Sequence, residues 1–132
     1  MRILIVEDDE ASSIFIQKIL SHYGDCDITV DGMETLEAYL IALQEDAPYD
    51  LICLDIMIPK VNGVKVLKSI REIERKKRVK KNQHVKVMVI TALAETQFVN
   101  ESLTEGYDVY VAKPVDKKRL DEAINKLGLL QT

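Results

Sequence analysis

The sequence has 132 residues and a mass of 15.0 kDa, the size of one folded domain. Its 47% hydrophobic and 30% charged residues are ordinary for a globular protein and exclude a disordered, collagen-like or coiled-coil chain. The net charge is −4, but acidic and basic residues are segregated along the chain: residues 1–59 carry a net charge of −11 and residues 60–132 a net charge of +7.

Short apolar runs alternate with segments of helical periodicity five times along the chain. In chain order the pattern predicts a strand at 2–6, a helix at 10–22, a strand at 26–30, a helix between Gly32 and Pro48, a strand at 51–54, a helix beginning at Gly63, a strand at 85–90, a helix at 95–105, a strand at 109–111 and a helix capped by Asp116. The inward face of the first helix is predicted to hold Ala11, Ile14, Phe15, Ile19 and Leu20. The fourth helix has only a thin apolar face, around Phe98 and Leu103.

Five repeats of strand and helix predict a doubly wound α/β domain, because each pair of parallel strands needs a right-handed helical crossover. The first, third and fourth strands are mostly continuously apolar, as internal strands are, whereas the second and fifth alternate with polar residues, as edge strands do. The pattern favours a five-stranded parallel sheet of order 2-1-3-4-5 with helices on both faces. In such a sheet, ligands bind beyond the carboxyl ends of the strands.

No apolar run near the start approaches the roughly 20 residues that a membrane span requires, and none forms a signal-peptide core. We therefore expect a cytoplasmic protein. Cys26 and Cys53 lie among apolar residues without CxxC spacing or paired histidines, which disfavours a disulfide framework or a zinc site. Both are predicted to be reduced core residues.

Acidic side chains follow two neighbouring strands of the predicted sheet. Glu7, Asp8, Asp9 and Glu10 come directly after the first strand, and Asp55 ends the third strand among apolar residues. Adjacent strands lie about 4.8 Å apart, so these carboxylates would repel one another unless a cation neutralised them. Such oxygen ligands favour Mg²⁺, with Mn²⁺ as a substitute. Taken alone, the acidic run could equally cap the next helix.

Thr91 and Lys113 end the fourth and fifth strands and so reach the same rim of the sheet. Taken singly, Thr91 could be an ordinary helix cap and Lys113 an ordinary loop lysine. Together with the acids they describe a phosphoryl site, in which Mg²⁺ and Lys113 neutralise charge, Thr91 donates a hydrogen bond and Asp55 is the nucleophile. The sequence has no glycine-rich phosphate loop, which disfavours nucleotide binding.

Four ordered segments of the chain resemble the receiver domain of two-component response regulators. They are residues 3–9 (ILIVEDD), residues 54–59 (LDIMIP) with Gly63, residues 89–92 (VITA) and residues 110–114 (YVAKP). The resemblance covers essentially the whole length, so we expect residues 1–132 to form one stand-alone receiver domain of flavodoxin-like topology with no output domain. The start at Met1 directly before the first strand favours a complete protein.

The resemblance implies a role for each matching residue. Asp55 would be the phosphoacceptor. Mg²⁺ would be bound by Glu7, Asp8, Asp55 and the backbone carbonyl of Met57. The phosphate would be bound by Thr91 and Lys113. Asp9 would neighbour the metal without binding it. The Lys113–Pro114 peptide bond would be cis.

The resemblance also implies a phosphoacceptor signalling protein rather than an enzyme. A sensor histidine kinase or a histidine phosphotransfer protein would donate the phosphoryl group, and Thr91 and Tyr110 would then switch the surface of the predicted fourth helix, fifth strand and fifth helix. The output would pass to an unidentified downstream protein, with a phosphorylation-dependent dimer as a further outcome. Met57 and Leu93 are apolar where polar residues would position attacking water, which predicts slow self-dephosphorylation.

Three other functions compete with this interpretation. The runner-up is a phosphorylation-independent pseudo-receiver, disfavoured because every active-site residue type is present. A haloacid-dehalogenase-like phosphatase would need an aspartate where Met57 stands and a nucleophile after the first strand. A flavodoxin-like electron carrier would need a Ser/Thr/Gly phosphate-binding loop, which the sequence lacks.

The segment from Arg71 to Lys81 is strongly basic. Such a run could bind nucleic acid, anionic lipid or an acidic partner. Without interleaved aromatic residues or room for a DNA-reading module, nucleic acid is disfavoured, and we expect a solvated extension of the third helix.

Overall fold

The computed structural model describes residues 1–56, 58, 62–92 and 106–129. Its elements in chain order are β1 (Arg2–Val6), α1 (Glu10–Leu20), β2 (Asp25–Thr29), α2 (Gly32–Gln44), β3 (Leu51–Asp55), α3 (Gly63–Lys76), a 3₁₀ turn (Lys81–Gln83), β4 (Lys86–Ala92), β5 (Val109–Lys113) and a C-terminal helix (Lys117–Leu127). The helix predicted at 95–105, with Phe98 and Leu103, lies outside the described residues. Among the described helices, none has the length and apolarity to cross a membrane.

A polar side chain caps the start of each described α-helix. Each cap accepts a hydrogen bond from the backbone N–H three residues further on, and the caps are Asp9, Asp31, Asn62 and Asp116. Such a cap satisfies an amide that has no partner within the helix and stabilises the helix by about 1 kcal/mol. The cap predicted at Asp116 is therefore confirmed.

The strands form one parallel sheet of order β2-β1-β3-β4-β5, as predicted. All five residues of β3 are buried, because this strand has a neighbour on each side and helices above and below. The register aligns the strand ends, with Val6 opposite Leu54, Asp55 opposite Ile90 and Ala92 opposite Lys113. The polar residues that end these strands therefore share one rim.

Two hydrophobic clusters cover the two faces of the sheet. The cluster under α2 and α3 includes Leu4, Tyr39, Leu54 and Ile70. The cluster under α1 and the C-terminal helix includes Ile5, Leu20, Cys53, Met88 and Ile124. Both cysteines are free, as predicted, but only Cys53 lies in the core, whereas Cys26 is half-buried and packs against it.

The predicted inward face of α1 is partly wrong. The helix ends at Leu20, Ala11 is exposed, and the side chains of Ile14 and Phe15 are 54% and 45% exposed. Ile16, which was not on the predicted face, is buried instead. Three consecutive apolar residues span most of a helical turn, so periodicity alone cannot tell which of them meets the core.

The α-helix in the basic segment ends at Lys76, so the predicted helical extension stops there. Arg78 adopts the left-handed conformation, with φ of 56°. The Val79 N–H donates to the Glu74 carbonyl at 2.9 Å and the Arg78 N–H to the Arg75 carbonyl at 3.1 Å. These bonds close the helix end in a way that usually involves glycine.

A buried ion-pair network links α3 to the starts of β4 and β5. Glu74 is fully buried, and it accepts hydrogen bonds from Arg71 at 2.7 Å, from the Tyr39 hydroxyl at 3.1 Å and from the Val85 N–H at 2.8 Å. Arg71 also contacts Asp108 at 3.2 Å. Since both oxygens of Glu74 have donors, the network compensates the burial of this carboxylate.

Candidate functional site

Three carboxylates meet at the carboxyl-terminal rim of the sheet. Glu7 and Asp8 follow β1 directly, and Asp55 is the last residue of β3. One oxygen from each of them lies within 4.8 Å of the others. Glu7 and Asp55 are buried, with 2% and 6% exposure, while Asp8 is exposed. The crowding predicted from adjacent strand ends is therefore present.

Lys113 is the cation of this site. Its Nζ lies 3.1 Å from Asp55 Oδ2 and 3.3 Å from Glu7 Oε1. Burial lowers the pKa of the ammonium, but the hydrogen bond and charge of Asp55, together with Glu7, outweigh that effect and raise it. Lys113 therefore stays charged and neutralises part of the acidic cluster.

One Glu7 oxygen lacks the compensation that a buried carboxylate normally has. Glu7 Oε2 is buried and has no hydrogen-bond donor within the described part of the chain. Burial, then the hydrogen bond and charge of Asp55, raise the pKa of Glu7 to about 7. A hard divalent cation would satisfy this oxygen and relieve the repulsion, and three carboxylates are the oxygen ligands that Mg²⁺ accepts. The residues present fit such an ion.

Asp9 has a different role from its neighbours. Its side chain accepts the Ser12 N–H at 2.9 Å and the Ser12 hydroxyl at 2.6 Å. These hydrogen bonds hold the pKa of Asp9 below its usual range. The helix-capping alternative thus applies to Asp9, whereas Glu7 and Asp8 point into the carboxylate cluster.

Gly63 brings α3 against the backbone that carries Asp55. The Gly63 N–H donates to the Ile56 carbonyl at 2.9 Å. A Cβ at this position would lie 2.7 Å from the Ile56 Cα and 2.9 Å from the Asp55 carbonyl oxygen. Only glycine fits this approach without moving the loop, so Gly63 contributes to the placement of Asp55.

Thr91 and Tyr110 occupy β4 and β5 beside the rim. Thr91 is fully buried one residue beyond Ile90, the partner of Asp55 in the register. Tyr110 is 44% exposed, and its ring meets that of Tyr107 edge-on at 6.2 Å. Met57 and Leu93 lie outside the described residues.

A surface groove that the sequence did not reveal adjoins the site. It has a volume of about 520 Å³ and is lined by the exposed Phe15 of α1 and by Lys113, Pro114 and Val115. The Lys113–Pro114 bond is cis, as the resemblance implied. The sequence feature that could have indicated this groove is the run Ile14-Phe15-Ile16, because three consecutive apolar residues cannot all lie on the one buried face of a helix.

Comparison with known proteins gives a consistent result. A family model described as the response regulator receiver domain matches residues 3–125. The response regulator ArlR of Staphylococcus saprophyticus is 37% identical over 120 residues, covering 90% of this chain and 48% of ArlR. The chemotaxis protein CheY of Treponema pallidum is 32% identical over 125 residues, covering 93% of this chain and 79% of CheY.

A solved structure agrees with these sequence matches. The bacteriophytochrome response regulator RtBRR superposes with a TM-score of 0.78 at 27% identity, covering 99% of this chain and 80% of RtBRR. The chain therefore spans about half the length of ArlR but most of CheY and of RtBRR. Its similarity to the longer regulator is confined to one part of that protein.

Proposed function

This chain belongs to the response regulator receiver domain family, and we propose that it accepts a phosphoryl group on Asp55 with the help of Mg²⁺. A receiver is a phosphoacceptor signalling domain and not a classical enzyme. The observation that carries the proposal is the environment of Asp55, a buried carboxylate 3.1 Å from Lys113 and within 4.8 Å of Glu7 and Asp8. A buried, charged nucleophile with a partly unsatisfied acidic neighbour is typical of a reactive site.

In the proposed reaction, a carboxylate oxygen of Asp55 attacks the phosphorus of a donor phosphohistidine. The bond between phosphorus and the ring nitrogen breaks, and that nitrogen keeps the electron pair while the other ring nitrogen carries the proton, so neutral imidazole leaves. Lys113, already within hydrogen-bond distance of Asp55, stabilises the charge on the transferred group. Thr91 donates a hydrogen bond to one phosphoryl oxygen.

Glu7, Asp8 and Asp55 would hold the magnesium ion, together with the backbone carbonyl of Met57. Mg²⁺ supplies charge neutralisation for the phosphoryl oxygens. The orphaned Glu7 Oε2 and the raised pKa of Glu7 both support a cation at this place. Mn²⁺ would occupy the same ligands.

The proposed switch uses Thr91 and Tyr110. A phosphoryl group on Asp55 gives the Thr91 hydroxyl a new charged acceptor, and movement of that buried hydroxyl would open space for Tyr110 to turn inward. Tyr110 now lies on the exposed side of edge strand β5, so the change would alter a surface available to a partner. The predicted fourth helix, β5 and the C-terminal helix would form that surface.

The donor is proposed to be a sensor histidine kinase or a histidine phosphotransfer protein. Its phosphohistidine must reach Asp55, so its protein surface must cover the rim beside it. Ile14 and Phe15 expose apolar side chains on α1, and Phe15 lines the groove next to Lys113. Exposed apolar side chains beside a reactive group are typical of a docking surface.

The remaining partners follow from the receiver function. We propose an unidentified downstream protein as the target, a phosphorylation-dependent dimer as an alternative output, and the cytoplasm as the location. The proposal assigns residues 1–132 to a receiver domain. Nucleic acid has no part in it.

Intact-mass analysis after incubation with Mg²⁺ and acetyl phosphate tests the proposed acceptor. We expect one added phosphoryl group on the wild type and on Asp50→Asn, an exposed acid that precedes the amino end of β3, but none on Asp55→Asn. Wild type that gains no group and does not bind beryllofluoride would favour the pseudo-receiver. An adduct that persists in Asp55→Asn would place the acceptor elsewhere.

A further inference from the structure

The end of α3 carries a concentration of positive charge at the amino-terminal edge of the sheet. Six of the seven residues from 75 to 81 are lysine or arginine. Because α3 runs antiparallel to the strands, this segment lies at the edge opposite the rim that carries Asp55. The site described above makes no use of it.

Neighbouring acids neutralise only part of this charge. Glu72 pairs with Arg75 and, at 3.6 Å, with Lys76. The other four cations, here called the basic cluster, are exposed and have no carboxylate within 4.0 Å in the described part of the chain: Lys77, Arg78, Lys80 and Lys81. The helix dipole favours cations in the last turn of α3, but it does not account for those that follow the turn.

The backbone beside the basic cluster adopts the left-handed conformation at two helix ends. Arg78 and Asp46 have φ of 56° and 57°, and they are the non-glycine residues with positive φ in the described ranges. Asp46 ends α2 much as Arg78 ends α3. Both residues close a helix end at the position that glycine usually occupies, and the left-handed conformation costs free energy for arginine but less for aspartate.

Arg78 and Asp46 line the same groove. It has a volume of about 560 Å³ and separates the α2–β3 connection from the basic segment. Leu43 and Val79 contribute apolar surface, Arg78, Lys80 and Lys86 contribute three cations, and Asp46 and Asp50 contribute two carboxylates. Apolar surface beside a cationic wall suits a ligand that combines apolar and acidic groups.

We infer that this groove binds an acidic segment of a partner protein, with an apolar side chain in the groove and carboxylates on the basic cluster. Charge complementarity selects the occupant, because the basic cluster has no carboxylate partner among the described residues and an acidic peptide supplies one. Nucleic acid fits less well, because a phosphate backbone offers no apolar group to the surface of Leu43 and Val79. The inference does not depend on phosphorylation of Asp55.

Binding of a short labelled peptide of glutamate and leucine to the full chain tests the inference. Fluorescence anisotropy gives the affinity, and amide chemical shifts locate the peptide. We expect binding that weakens with salt and shifts at Leu43, Val79 and Lys80. The affinity should be the same for Asp55→Asn, and it should fall when serine replaces the leucines of the peptide.

Matched charge-reversal variants distinguish binding in this groove from general electrostatic attraction to exposed cations. Reversal of Arg78 and Lys80 to glutamate should weaken binding by about tenfold or more. The same reversal at Lys65 and Lys68, exposed cations near the start of α3, should change it by less than about twofold.

Two single variants test the positions with positive φ. Arg78→Gly should weaken binding while raising Tm by about 3 °C, because glycine relieves the left-handed backbone. Asp46→Asn should strengthen binding, because it removes the opposing charge and asparagine tolerates this conformation.

Several outcomes would overturn the inference. These are no binding of the peptide at low salt, equal losses for the two charge reversals, chemical shifts confined to other surfaces, or no effect when the leucines are replaced. Tighter binding of an oligonucleotide of equal charge would assign the cluster to nucleic acid instead.

Discussion

Glu7 and Glu74 are two buried glutamates that lie near opposite ends of the strands. They differ in how completely the protein supplies hydrogen-bond donors to their carboxylate oxygens. Glu74 is fully buried, and its two oxygens receive three hydrogen bonds, from Arg71, Tyr39 and Val85. Glu7 is 2% exposed, has Lys113 on one oxygen and no donor on the other among the described residues. Burial therefore does not by itself distinguish a structural carboxylate from a functional one.

The difference lies in whether the protein completes the hydrogen bonding of the carboxylate. A buried carboxylate costs several kcal/mol unless it is paired, and the network around Glu74 provides that pairing without any ligand. Around Glu7 the chain instead adds two more carboxylates, Asp8 and Asp55. Such an arrangement of carboxylates is favourable only when a cation from solution binds to it. We therefore interpret Glu74 as a structural residue and Glu7 as a metal ligand.

The largest expected effect comes from removing the structural carboxylate. Glu74→Ala leaves the Tyr39 hydroxyl and the Val85 N–H without their acceptor and removes a buried carboxylate from Arg71, and we expect a loss of about 3–5 kcal/mol in the free energy of unfolding. Urea denaturation measures this, and phosphorylation per folded molecule should not change. The double variant Arg71→Met with Glu74→Leu should be more stable than Glu74→Ala. A single variant as stable as the wild type would contradict the comparison.

Gly63→Ala should affect both stability and chemistry. The added methyl group would meet the backbone of Ile56 and Asp55, so we expect a loss of about 1–3 kcal/mol and slower phosphorylation. Urea denaturation and the rate of mass increase with acetyl phosphate check the two effects. Gly128→Ala is the control, since no atom lies within 4 Å of its Cβ position and only its φ of 68° is strained. An unchanged phosphorylation rate in Gly63→Ala would show that Asp55 does not depend on this approach.

Glu7→Gln should affect metal binding more than stability, the opposite of what we expect for Glu74→Ala. Removing one of three crowded carboxylates relieves repulsion, so the free energy of unfolding without Mg²⁺ should stay within about 1 kcal/mol of the wild type. The affinity for Mg²⁺ should fall by about tenfold or more, because a charged ligand is lost. Thermal unfolding with and without Mg²⁺ checks both statements. A large loss of stability in the metal-free variant would make Glu7 structural as well.

The smallest expected effect concerns the lifetime of the phosphorylated form. Asparagine at positions 57 and 93 should shorten the half-life about threefold to tenfold, because polar side chains position attacking water. Loss of the phosphoryl mass over time measures it. Met33→Asn, an exposed methionine on α2, is the control and should have no effect. A half-life that does not shorten would contradict the predicted slow dephosphorylation.

The strand order and the convergence of acidic side chains and a lysine at one rim could be predicted, because both follow from local patterns. Continuous apolar strands indicated the interior of the sheet, and polar residues at strand ends marked the rim where Glu7, Asp55 and Lys113 meet. The network around Glu74 could not be predicted, because Tyr39 and Val85 come from distant parts of the chain. Arg78 gave no signal either, since helix ends of this kind normally contain glycine.

The position of β3 within the sheet also has a consequence for local opening. Its amides are paired on both sides and all its residues are buried, so they should exchange with solvent only through global unfolding. Edge strand β5, which carries Tyr110, has one neighbour and should exchange through smaller local fluctuations. A hydrogen-exchange profile should therefore place Asp55 at the end of the most protected strand and Tyr110 in a less protected one. The proposed phosphorylation site would then lie on the strand that opens least often, and the proposed switch residue on a strand that opens more readily.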